Sequence, residues 1–346
     1  MIDLRSDTVT LPTPQMYAAM ADAKLGDDMR ERDPTVVELE DLSAKLTGKE
    51  AALFVVSGTM GNLVSILAQT GRGGELLCDP MAHIARSELG GFAQFGGLFH
   101  RFYRAERGCP DLASVKAMLR GKVTAGAQNT AIVCVETSHN DAGGAVIPLA
   151  VLRELHEMAV AHGVPVHMDG ARLFNAAVAL GVPASDIARH TDSVTFCVSK
   201  GLSAPVGSLI CGSRDFIERA RHFRRALGGA MRQAGVIAAA AKIALNEGVH
   251  LLAEDHRRAR EIAIGLAAID ARFVDPRDVE TNIVMVEVGH TGRSTQDWVK
   301  AMAERGIDLR PYGGTRLRLV LHRHIGDEAV GAVIAAFADF NAQGAH

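Results

Sequence analysis

Short apolar runs alternate with helix-periodic segments over most of the chain. The runs predict strands at Ala51–Ser57, Glu75–Cys78, Leu98–Tyr103, Ala131–Glu136, Val164–Met168, Ser193–Val198 and Ser208–Cys211. Apolar residues at helical spacing predict helices at Gly58–Gln69 and Leu149–His162, and the second helix ends before Gly163. Near-continuous apolar strands that alternate with helices are typical of a mostly parallel sheet covered on both faces. The pattern therefore predicts an α/β fold.

After about residue 250 the pattern changes. Helices and strands are predicted at His256–Ala271, Asn282–Val288, Ser294–Arg305, Arg316–Leu321 and Glu328–Asn341. We therefore expect a large domain with an N-terminal arm over residues 1–250, and a smaller α+β domain over residues 251–346. The segment Asn246–Asp255 is the candidate link between them.

Composition and charge narrow the class of protein. A chain of 346 residues that is 48% hydrophobic and 22% charged can bury one large core and a smaller second one. The formal net charge of −3 gives no reason to expect a nucleic-acid partner. The one basic cluster, Arg219–Arg225, is predicted to be a solvated helix face.

The cysteines and the N-terminus indicate a compartment. The five cysteines are odd in number and never spaced as C-x-x-C, which favours free thiols over disulfides or a zinc site. Met1–Pro14 lacks the apolar core of a signal peptide, and no run of 18 apolar residues is free of charge. We expect a cytoplasmic protein without a membrane span.

Two strand ends carry residues that suggest a cofactor. Lys200 follows the strand Ser193–Val198 in the segment Ser-Lys-Gly, and a partly desolvated lysine can attack an aldehyde. Asp169 ends the strand that begins at Val164, and pyridoxal 5'-phosphate (PLP) needs a carboxylate against its pyridine nitrogen. Neighbouring parallel strands would bring both to one sheet edge. Taken singly, Lys200 suits a surface position and Asp169 a helix cap.

The remaining parts of a PLP site also have candidates. Gly58 and Thr59 begin a helix after a strand, where backbone N–H groups and a hydroxyl can hold phosphate, although a simple capped turn is the alternative. His83 and His139 each follow a strand, and either can stack on the ring or exchange protons. Each of the two histidines, taken alone, is equally typical of an ordinary loop.

Arginines are candidates for holding a substrate carboxylate. Arg172 lies next to the Asp169 loop, and Arg318 lies on a predicted strand. Arg316 has the same facing as Arg318, so spacing alone does not choose between them. His322 and His324 form an H-x-H pair, but nothing else has metal-binding spacing, and we predict no metal site.

At this point the chain resembles the low-specificity L-threonine aldolases, which are fold-type I PLP enzymes of the β-eliminating lyase group. The most specific segments are HMDGARLFNA and CVSKGLSAPVGS, supported by LRSDTVTLP, SGTMGN, VETSHNDAGG, GGAMRQAG and RLRLVLH. The resemblance runs from Ile2 to the last helix. It implies a fold-type I architecture and an aldolase that cleaves L-threonine-type β-hydroxy-α-amino acids to glycine and an aldehyde.

The resemblance also implies roles for single residues. Lys200 would carry PLP as a Schiff base, Asp169 would pair with the pyridine nitrogen, and His83 would stack on the ring. Gly58 and Thr59 would hold the phosphate, with Ser199 beside the cofactor. A further set would bind the substrate carboxylate or lie near its hydroxyl: Ser6, Arg172, Arg318 and His139. The base, His83 or His139, is left open.

The family assembles as dimers or tetramers with shared active sites, so Arg232 is expected to reach a neighbouring subunit's cofactor. One departure stands out in the segment Asp27–Asp33, where Arg30 occupies the position of a family tyrosine. An added cation there favours an acidic or bulkier substituent. The alternatives to an aldolase are a PLP-dependent β-eliminating lyase or racemase on the same scaffold, and a non-catalytic PLP-binding module.

Overall fold

The computed structural model describes residues 1–343, in which strands form one large sheet, one three-stranded sheet and two short ladders. The strands are β1 (Ile2–Asp3), β2 (Ala51–Val55), β3 (Glu75–Cys78), β4 (Phe99–Phe102), β5 (Ala105–Glu106), β6 (Cys109–Pro110), β7 (Thr130–Glu136), β8 (Val166–Asp169), β9 (Ser193–Cys197), β10 (Ser208–Gly212), β11 (Ile283–Glu287), β12 (Ile307–Asp308), β13 (Arg310–Tyr312) and β14 (Arg316–Val320). The α-helices are α1 (Pro14–Ala21), α2 (Pro34–Thr47), α3 (Gly58–Gln69), α4 (His83–Arg86), α5 (Gly91–Gln94), α6 (Leu112–Met118), α7 (Leu149–Ala161), α8 (Leu173–Leu180), α9 (Ala184–Ala188), α10 (Arg214–Ala226), α11 (Gly235–Ile243), α12 (Leu252–Ile269), α13 (Thr295–Ala303) and α14 (Asp327–Ala342).

The large sheet has the strand order β2-β10-β9-β8-β7-β3-β4. Its pairs are parallel, except that β10 runs antiparallel to β2 and β9. The seven strands predicted from apolar runs are the seven strands of this sheet, and β3 and α3 have the predicted bounds. The central strands β8, β9 and β10 are buried along their whole length, which explains their continuous apolar character. The predicted α/β class is confirmed.

The register of the sheet brings strand ends together. Glu136 at the end of β7 is paired with Asp169 at the end of β8, and Asp169 is paired in turn with Thr195 on β9. The chain leaves β9 at Cys197 and reaches Lys200 three residues later. The carboxyl edge of the sheet therefore carries Glu136, Asp169 and Lys200 on neighbouring strands, which is where ligands bind in open α/β folds.

The three-stranded sheet, in the order β11-β14-β13, is antiparallel. It packs with α12, α13 and α14 around a core that includes Phe273, Trp298 and Phe337. Leu4 joins this second core because β1 pairs in parallel with β12. The N-terminal arm therefore crosses from the small sheet toward the carboxyl edge of the large one.

The segment Asn246–Asp255, predicted as a link, is helical. It lies within one helical path, Gly235–Ile269, which passes through a π turn and a 3-10 turn between α11 and α12. The large core extends to Leu252, and the second core begins, after Leu4, at Ala259. The division at residue 250 stays a prediction, and residues 344–346 of the small domain lie outside the described residues.

The helical path Gly235–Ile269 is also long and apolar enough to cross a membrane by length and composition alone. Its most apolar 18-residue window has a mean hydropathy of 1.4, and a core helix of a soluble protein meets the same test. Ala240, Ala241, Leu252 and Ile262 on this path are fully buried in the two cores.

The basic cluster Arg219–Arg225 forms a solvated face only in part: Arg219 and Arg225 are exposed, whereas the prediction was wrong for Arg224. Arg224 on α10 is 2% exposed and donates hydrogen bonds to the Phe54 carbonyl oxygen at 2.9 Å and to Asp28 Oδ2 at 2.8 Å. Arg221 contacts Glu40 Oε2 at 3.1 Å. Arg221 and Arg224 turn inward because their acidic partners, Glu40 and Asp28, come from distant parts of the chain. The five cysteines are free thiols, and four lie in buried strands.

Candidate active site

A cavity of about 290 Å³ opens at the carboxyl edge of the large sheet, bounded on one side by the small sheet. Its lining consists of Ser6, Thr8, His83, Ser87, Glu136, Ser138, Asn140, Asp169, Ala171, Arg172, Lys200, Arg310, Tyr312 and Arg318. Six residues predicted from the sequence therefore line one cavity: Ser6, His83, Asp169, Arg172, Lys200 and Arg318. Five others lie outside its lining, and they are His139, Gly58, Thr59, Ser199 and Arg232.

The backbone around Lys200 is fixed from two sides. Thr10 Oγ1 donates to the Lys200 carbonyl oxygen at 2.8 Å, which ties the N-terminal arm to the loop after β9. Ser203 N donates to the same oxygen at 2.8 Å, and Ser203 itself has a φ of 66°, in the left-handed region. The loop therefore holds the Lys200 side chain toward the cavity without using that side chain as a structural contact.

Asp169 is 3% exposed, and both of its oxygens are hydrogen-bonded. Oδ1 accepts from Ala171 N at 3.0 Å, and Oδ2 accepts from Asn62 Nδ2 at 2.9 Å. Asn62 Oδ1 also bonds His167 Nε2 at 3.1 Å. Asp169 is not the N-cap of α8, because that position is Arg172. The carboxylate is instead oriented from α3 and β8 toward the cavity.

Gly58 and Thr59 begin α3, whose N-cap is Ser57. A Cβ atom on Gly58 would lie 2.9 Å from Cys197 Sγ, so a larger residue does not fit this close approach to β9. One turn further, Asn62 bonds Asp169 from the same helix face. The start of α3 therefore lies about one helical turn from Asn62, the residue whose side chain bonds Asp169.

His83 is held at both its backbone and its ring. Its backbone N donates to Glu136 Oε2 at 2.6 Å, and its Nδ1 lies 2.8 Å from Glu88 Oε1. The hydrogen bond to Glu88 raises the pKa of His83, which burial opposes and the nearby Asp169 carboxylate reinforces. His83, Glu88 and Asp169 place possible metal-ligand atoms within 4.8 Å of one another. The hydrogen bond between His83 and Glu88, and the Asn62 amide that donates to both Glu88 and Asp169, account for their closeness.

His139 lies behind the cavity and is 1% exposed. Its Nδ1 accepts from Ala142 N at 3.2 Å, which places the ring proton on Nε2. Nε2 is 3.2 Å from Asp79 Oδ2, a charge contact whose angle falls outside hydrogen-bond alignment. Burial opposes the charged imidazole, but Asp79 and Glu136 outweigh it and raise the pKa of His139. The structure does not bring His139 to the cavity surface.

The two predicted carboxylate-binding arginines differ in their partners. Arg172 contacts both oxygens of Asp7, at 2.7 and 2.8 Å. Burial works against the Asp7 carboxylate, but Arg172 outweighs it and lowers the pKa of Asp7 to about 2. Arg318, 4% exposed, donates to Asn140 Oδ1 at 2.7 Å and to the Arg5 carbonyl oxygen at 3.3 Å, but to no carboxylate of residues 1–343.

The unpaired charge of Arg318 has two visible consequences. Its Nε atom is buried and has no hydrogen-bond partner in the described part of the chain. Burial, together with the neighbouring charge of Arg172, lowers the pKa of Arg318 to about 10. A buried cation without a counter-ion is costly, so Arg318 is the group in this cavity most in need of an anionic ligand.

Five other residues from the sequence analysis have different surroundings. Ser199 Oγ donates to the Gly207 carbonyl oxygen at 3.3 Å. Arg232 has a 59% exposed side chain paired with Asp27 at 3.1 Å, and Arg30 has an 86% exposed side chain. His322 and His324 hold the N-terminal arm, through the Asp3 carbonyl oxygen at 2.8 Å and Leu11 N at 3.0 Å. Both histidines of the H-x-H pair are therefore used in structural contacts.

The site contains residues that the sequence analysis missed. Glu136 lines the cavity and accepts from the backbone N of both His83 and Asn140, at 2.6 and 2.8 Å. Asn62 and Asp7 hold the two groups predicted to bind the ring and the carboxylate. Each of the three lies inside a segment that carries the family resemblance, and this position is the one sequence feature that could have identified it. Their partners could not be identified in this way, because they are far away in sequence.

Comparisons with known proteins identify the family of this chain. The model of the family described as beta-eliminating lyase matches residues 3–290. The chain belongs to the beta-eliminating lyase family. It is 42% identical over 340 residues to a probable low-specificity L-threonine aldolase 2 of Arabidopsis thaliana, covering 97% of this chain and 96% of the relative. It is 38% identical to the low specificity L-threonine aldolase of Escherichia coli strain K12, covering 99% and 100%.

Solved structures place this beta-eliminating lyase among proteins of the same fold. A Leishmania major threonine aldolase superimposes with a TM-score of 0.81 at 18% identity, covering 99% of this chain and 100% of that one. A serine palmitoyltransferase from S. paucimobilis with a bound PLP–myriocin aldimine superimposes with a TM-score of 0.76 at 19% identity, covering 99% and 88%. The resemblance to the threonine aldolases and the fold-type I architecture predicted from the sequence are both confirmed.

Proposed function

We propose that this protein is a PLP-dependent aldolase that cleaves L-threonine and L-allo-threonine type β-hydroxy-α-amino acids to glycine and an aldehyde. The observation that carries the proposal is the meeting of Lys200, Asp169 and the uncompensated Arg318 in one cavity. A lysine, a carboxylate and a free cation are what a PLP ring and an amino-acid carboxylate require. The Arabidopsis thaliana and Escherichia coli relatives, at 42% and 38% identity, carry the name low-specificity L-threonine aldolase.

The residues present fit PLP. Lys200 would bind the PLP aldehyde as a Schiff base. Asp169 would pair with the pyridine nitrogen, and His83 would stack on one face of the ring. Gly58 and Thr59 would hold its phosphate at the start of α3, where a Cβ on Gly58 would be too close to Cys197. We assign lesser roles at the cofactor to Ser199 and to Arg232 of a neighbouring copy. Bound PLP supplies the electron sink that accepts the pair from the broken bond.

Arg318 is the principal anchor of the substrate carboxylate in this proposal. Arg172 is already neutralised by Asp7, so it contributes a positioned N–H group rather than a free charge. Ser6, at the cavity wall, adds a hydroxyl. A carboxylate fixed at these groups sets which bond of Cα stands perpendicular to the ring, and an aldolase needs that bond to be Cα–Cβ.

His83 is the proposed base, because its ring lines the cavity whereas His139 is buried behind it. In the cleavage direction, the β-hydroxyl gives its proton to the neutral imidazole and its oxygen becomes the aldehyde carbonyl. The Cα–Cβ bond breaks and its electron pair stays on the Cα side. A proton then returns to Cα, which yields glycine. His139 would act on this step through Glu136 and Asp79.

The experiment that tests the function measures products. The PLP-loaded protein is incubated with L-threonine, L-allo-threonine and L-phenylserine, and glycine, aldehyde, ammonia and 2-oxo acid are assayed. We expect glycine in stoichiometric yield with the aldehyde. The family name favours β-elimination as the second candidate. Ammonia and 2-oxo acid without glycine would overturn the aldolase and support that candidate instead.

We also propose that copies of the chain associate as dimers or tetramers with shared sites in the cytoplasm. Arg232 and Arg30 support this because both are exposed and lie outside the chain's own cavity. Light scattering on the PLP-loaded protein tests the assembly, and a fully active monomer would contradict it.

A further inference from the structure

The candidate cavity continues into a second space of about 290 Å³, which we call the outer chamber. The residues that define it are Arg86, Arg310, Arg316, Asp141, Tyr312 and Asn140, and the last two also line the inner cavity with Arg310. We propose that the outer chamber binds an anionic group on the β-substituent of the substrate. This inference rests on the aldolase function and names its preferred substrate class: β-hydroxy-α-amino acids with a second carboxylate or a phosphate ester.

The outer chamber has more positive than negative groups. Three arginines face one aspartate, and that aspartate is already shared. Asp141 Oδ1 accepts from the Tyr312 hydroxyl at 2.8 Å and lies 3.5 Å from Arg86 Nη1. Arg310 and Arg316 form no ion pair with any other residue in 1–343. Like charges that gather without counter-ions repel one another, and an incoming anion relieves that repulsion.

The antiparallel register explains how these arginines come together. Arg310 on β13 is the direct partner of Arg318 on β14, and Tyr312 is the direct partner of Arg316. Directly opposed residues project from the same face of a sheet about 5 Å apart, and residues two apart along a strand share that face at roughly 7 Å. Arg310, Tyr312, Arg316 and Arg318 therefore lie on one face of the small sheet. Glu287 on β11 opposes Arg316 on that face, but its oxygens accept from Gly289 N and Thr315 Oγ1 and it forms no ion pair with Arg316.

Tyr312 connects the inner and the outer arginine. The guanidinium carbons of Arg318 and Arg316 lie 5.3 and 5.8 Å from the centroid of its ring. Its hydroxyl is held by Asp141 and by Asn140 Nδ2, the latter at 3.3 Å, and Asn140 Oδ1 in turn holds Arg318. A substrate whose α-carboxylate is bound at Arg318 therefore has its β-substituent within reach of Arg310 and Arg316.

The substrate class follows from two anion sites at this spacing. An uncharged methyl or phenyl substituent would leave Arg310 and Arg316 without a ligand, whereas a carboxylate or phosphate would pair with both. Cleavage then gives glycine and an aldehyde that keeps the anionic group, and no oxidant or reductant is required. The shared chemistry is the second anion, and a carboxylate and a phosphate ester are its two possible sources.

The test compares kcat/KM for four substrates with the PLP-loaded protein at fixed ionic strength. L-Threonine and L-phenylserine have neutral β-substituents. The two anionic substrates are 3-hydroxy-L-aspartate, which carries a second carboxylate, and 4-hydroxy-L-threonine phosphorylated on its 4-hydroxyl, which carries a phosphate ester. We expect kcat/KM for at least one anionic substrate to exceed that for L-threonine by about tenfold or more. A charge-assisted hydrogen bond in a partly desolvated site contributes a free energy of this size. When the comparison is repeated at higher salt concentration, the ratio of anionic to neutral kcat/KM should fall, because salt screens the charges.

Variants of opposite sign sharpen the test. Arg316→Gln should lower the ratio of anionic to neutral kcat/KM by about tenfold, and Asp141→Asn should raise it, because it removes the competing carboxylate while keeping an acceptor for Tyr312. Arg277→Gln is the matched control, since Arg277 is exposed and pairs only with Asp275. The control should leave the ratio unchanged.

Failure of this inference is distinguishable from failure of the aldolase. Efficient cleavage of L-threonine with no preference for either anionic substrate, or an unchanged ratio in Arg316→Gln, overturns the outer chamber alone. If no substrate yields glycine, equilibrium binding of L-aspartate and O-phospho-L-serine is compared with that of L-alanine by calorimetry. Binding that is tighter for the anions and weakened by Arg316→Gln supports the chamber, and equal binding of all three overturns it.

Discussion

The two sides of the cavity are charged in different ways. On the large-sheet side, the acidic groups Glu136, Asp169 and Asp79 are satisfied by backbone N–H groups and side chains of the protein itself. On the small-sheet side, the cations Arg310, Arg316 and Arg318 have no carboxylate partner within residues 1–343. The large-sheet side is thus organised by folding, whereas a bound anion would complete the small-sheet side in the proposed function.

This difference separates groups that set geometry from groups that bind. Removing a satisfied group on the large-sheet side leaves a buried partner unpaired and costs stability as well as rate. Removing an uncompensated cation on the small-sheet side relieves repulsion and affects mainly the substrate. The predictions below test that distinction, beginning with the largest expected effect.

Lys200→Ala should abolish turnover, with a loss of about three orders of magnitude or more in kcat, because the residue is the proposed covalent anchor of PLP. Glycine release from L-threonine measures it. Lys116→Ala is the control, since Lys116 is exposed on α6. Turnover within an order of magnitude of the parent protein would remove Lys200 from the site.

Arg318→Ala should lower kcat/KM for L-threonine by about 100-fold, through a higher KM and a lower kcat, because the same contact binds and orients the carboxylate. The melting temperature should stay the same or rise, since a buried uncompensated charge is removed. A fall in thermal stability with little change in KM would show that Arg318 is a structural residue.

Asp7→Asn should destabilise the fold, unlike Arg318→Ala. It should lower the free energy of unfolding by about 3 kcal/mol, because Arg172 is left buried without its counter-ion. The folded-state pKa of Asp7 is about 2, below its ordinary value, so its contribution to stability is present above about pH 4 and is lost as pH falls toward 2. Denaturant unfolding at several pH values measures this. Asp7→Asn should flatten that part of the profile, and an unchanged profile would contradict the assignment.

These contrasts also show what the sequence made predictable. Asp169 and Lys200 were placed correctly at one edge, because a strand's carboxyl end is visible as the end of an apolar run. Their orienting partners were not predictable in this way. Asn62 reaches Asp169 across 107 residues, and Asp7 reaches Arg172 across 165, so no local pattern contains either contact.

The surroundings of Arg224, and the difference between Arg316 and Arg318, both depend on packing against parts of the chain that are distant in sequence. Arg224 was expected in solvent because its own helix is basic, but Asp28 pairs with it from 196 residues away. Conversely, spacing alone left Arg316 and Arg318 equivalent, since both face the same side of β14. Packing against the large sheet and the N-terminal arm places Arg318 in the inner cavity and Arg316 in the outer chamber.

The smallest expected effect is a shift in the pH–rate profile that depends on the proposed base, His83. Glu88→Gln replaces the carboxylate whose hydrogen bond raises the pKa of His83 with a neutral amide, which stabilises the charged imidazole less. A base must be neutral, so kcat/KM should fall as pH drops through that pKa, and in Glu88→Gln this acid limb should move to lower pH. The pH–rate profile for L-threonine checks it. An acid limb that stays in place in the variant would assign the titration to another group.

The central claim, that Lys200 carries PLP in this cavity, is tested most directly by chemical trapping. The yellow PLP-loaded protein is reduced with borohydride and digested, and the phosphopyridoxyl peptide is identified by mass spectrometry. We predict stoichiometric label on Lys200, and a loss of the label when L-threonine is added before reduction. Label on any other lysine, or none at all in a protein that cleaves L-threonine, would contradict the account.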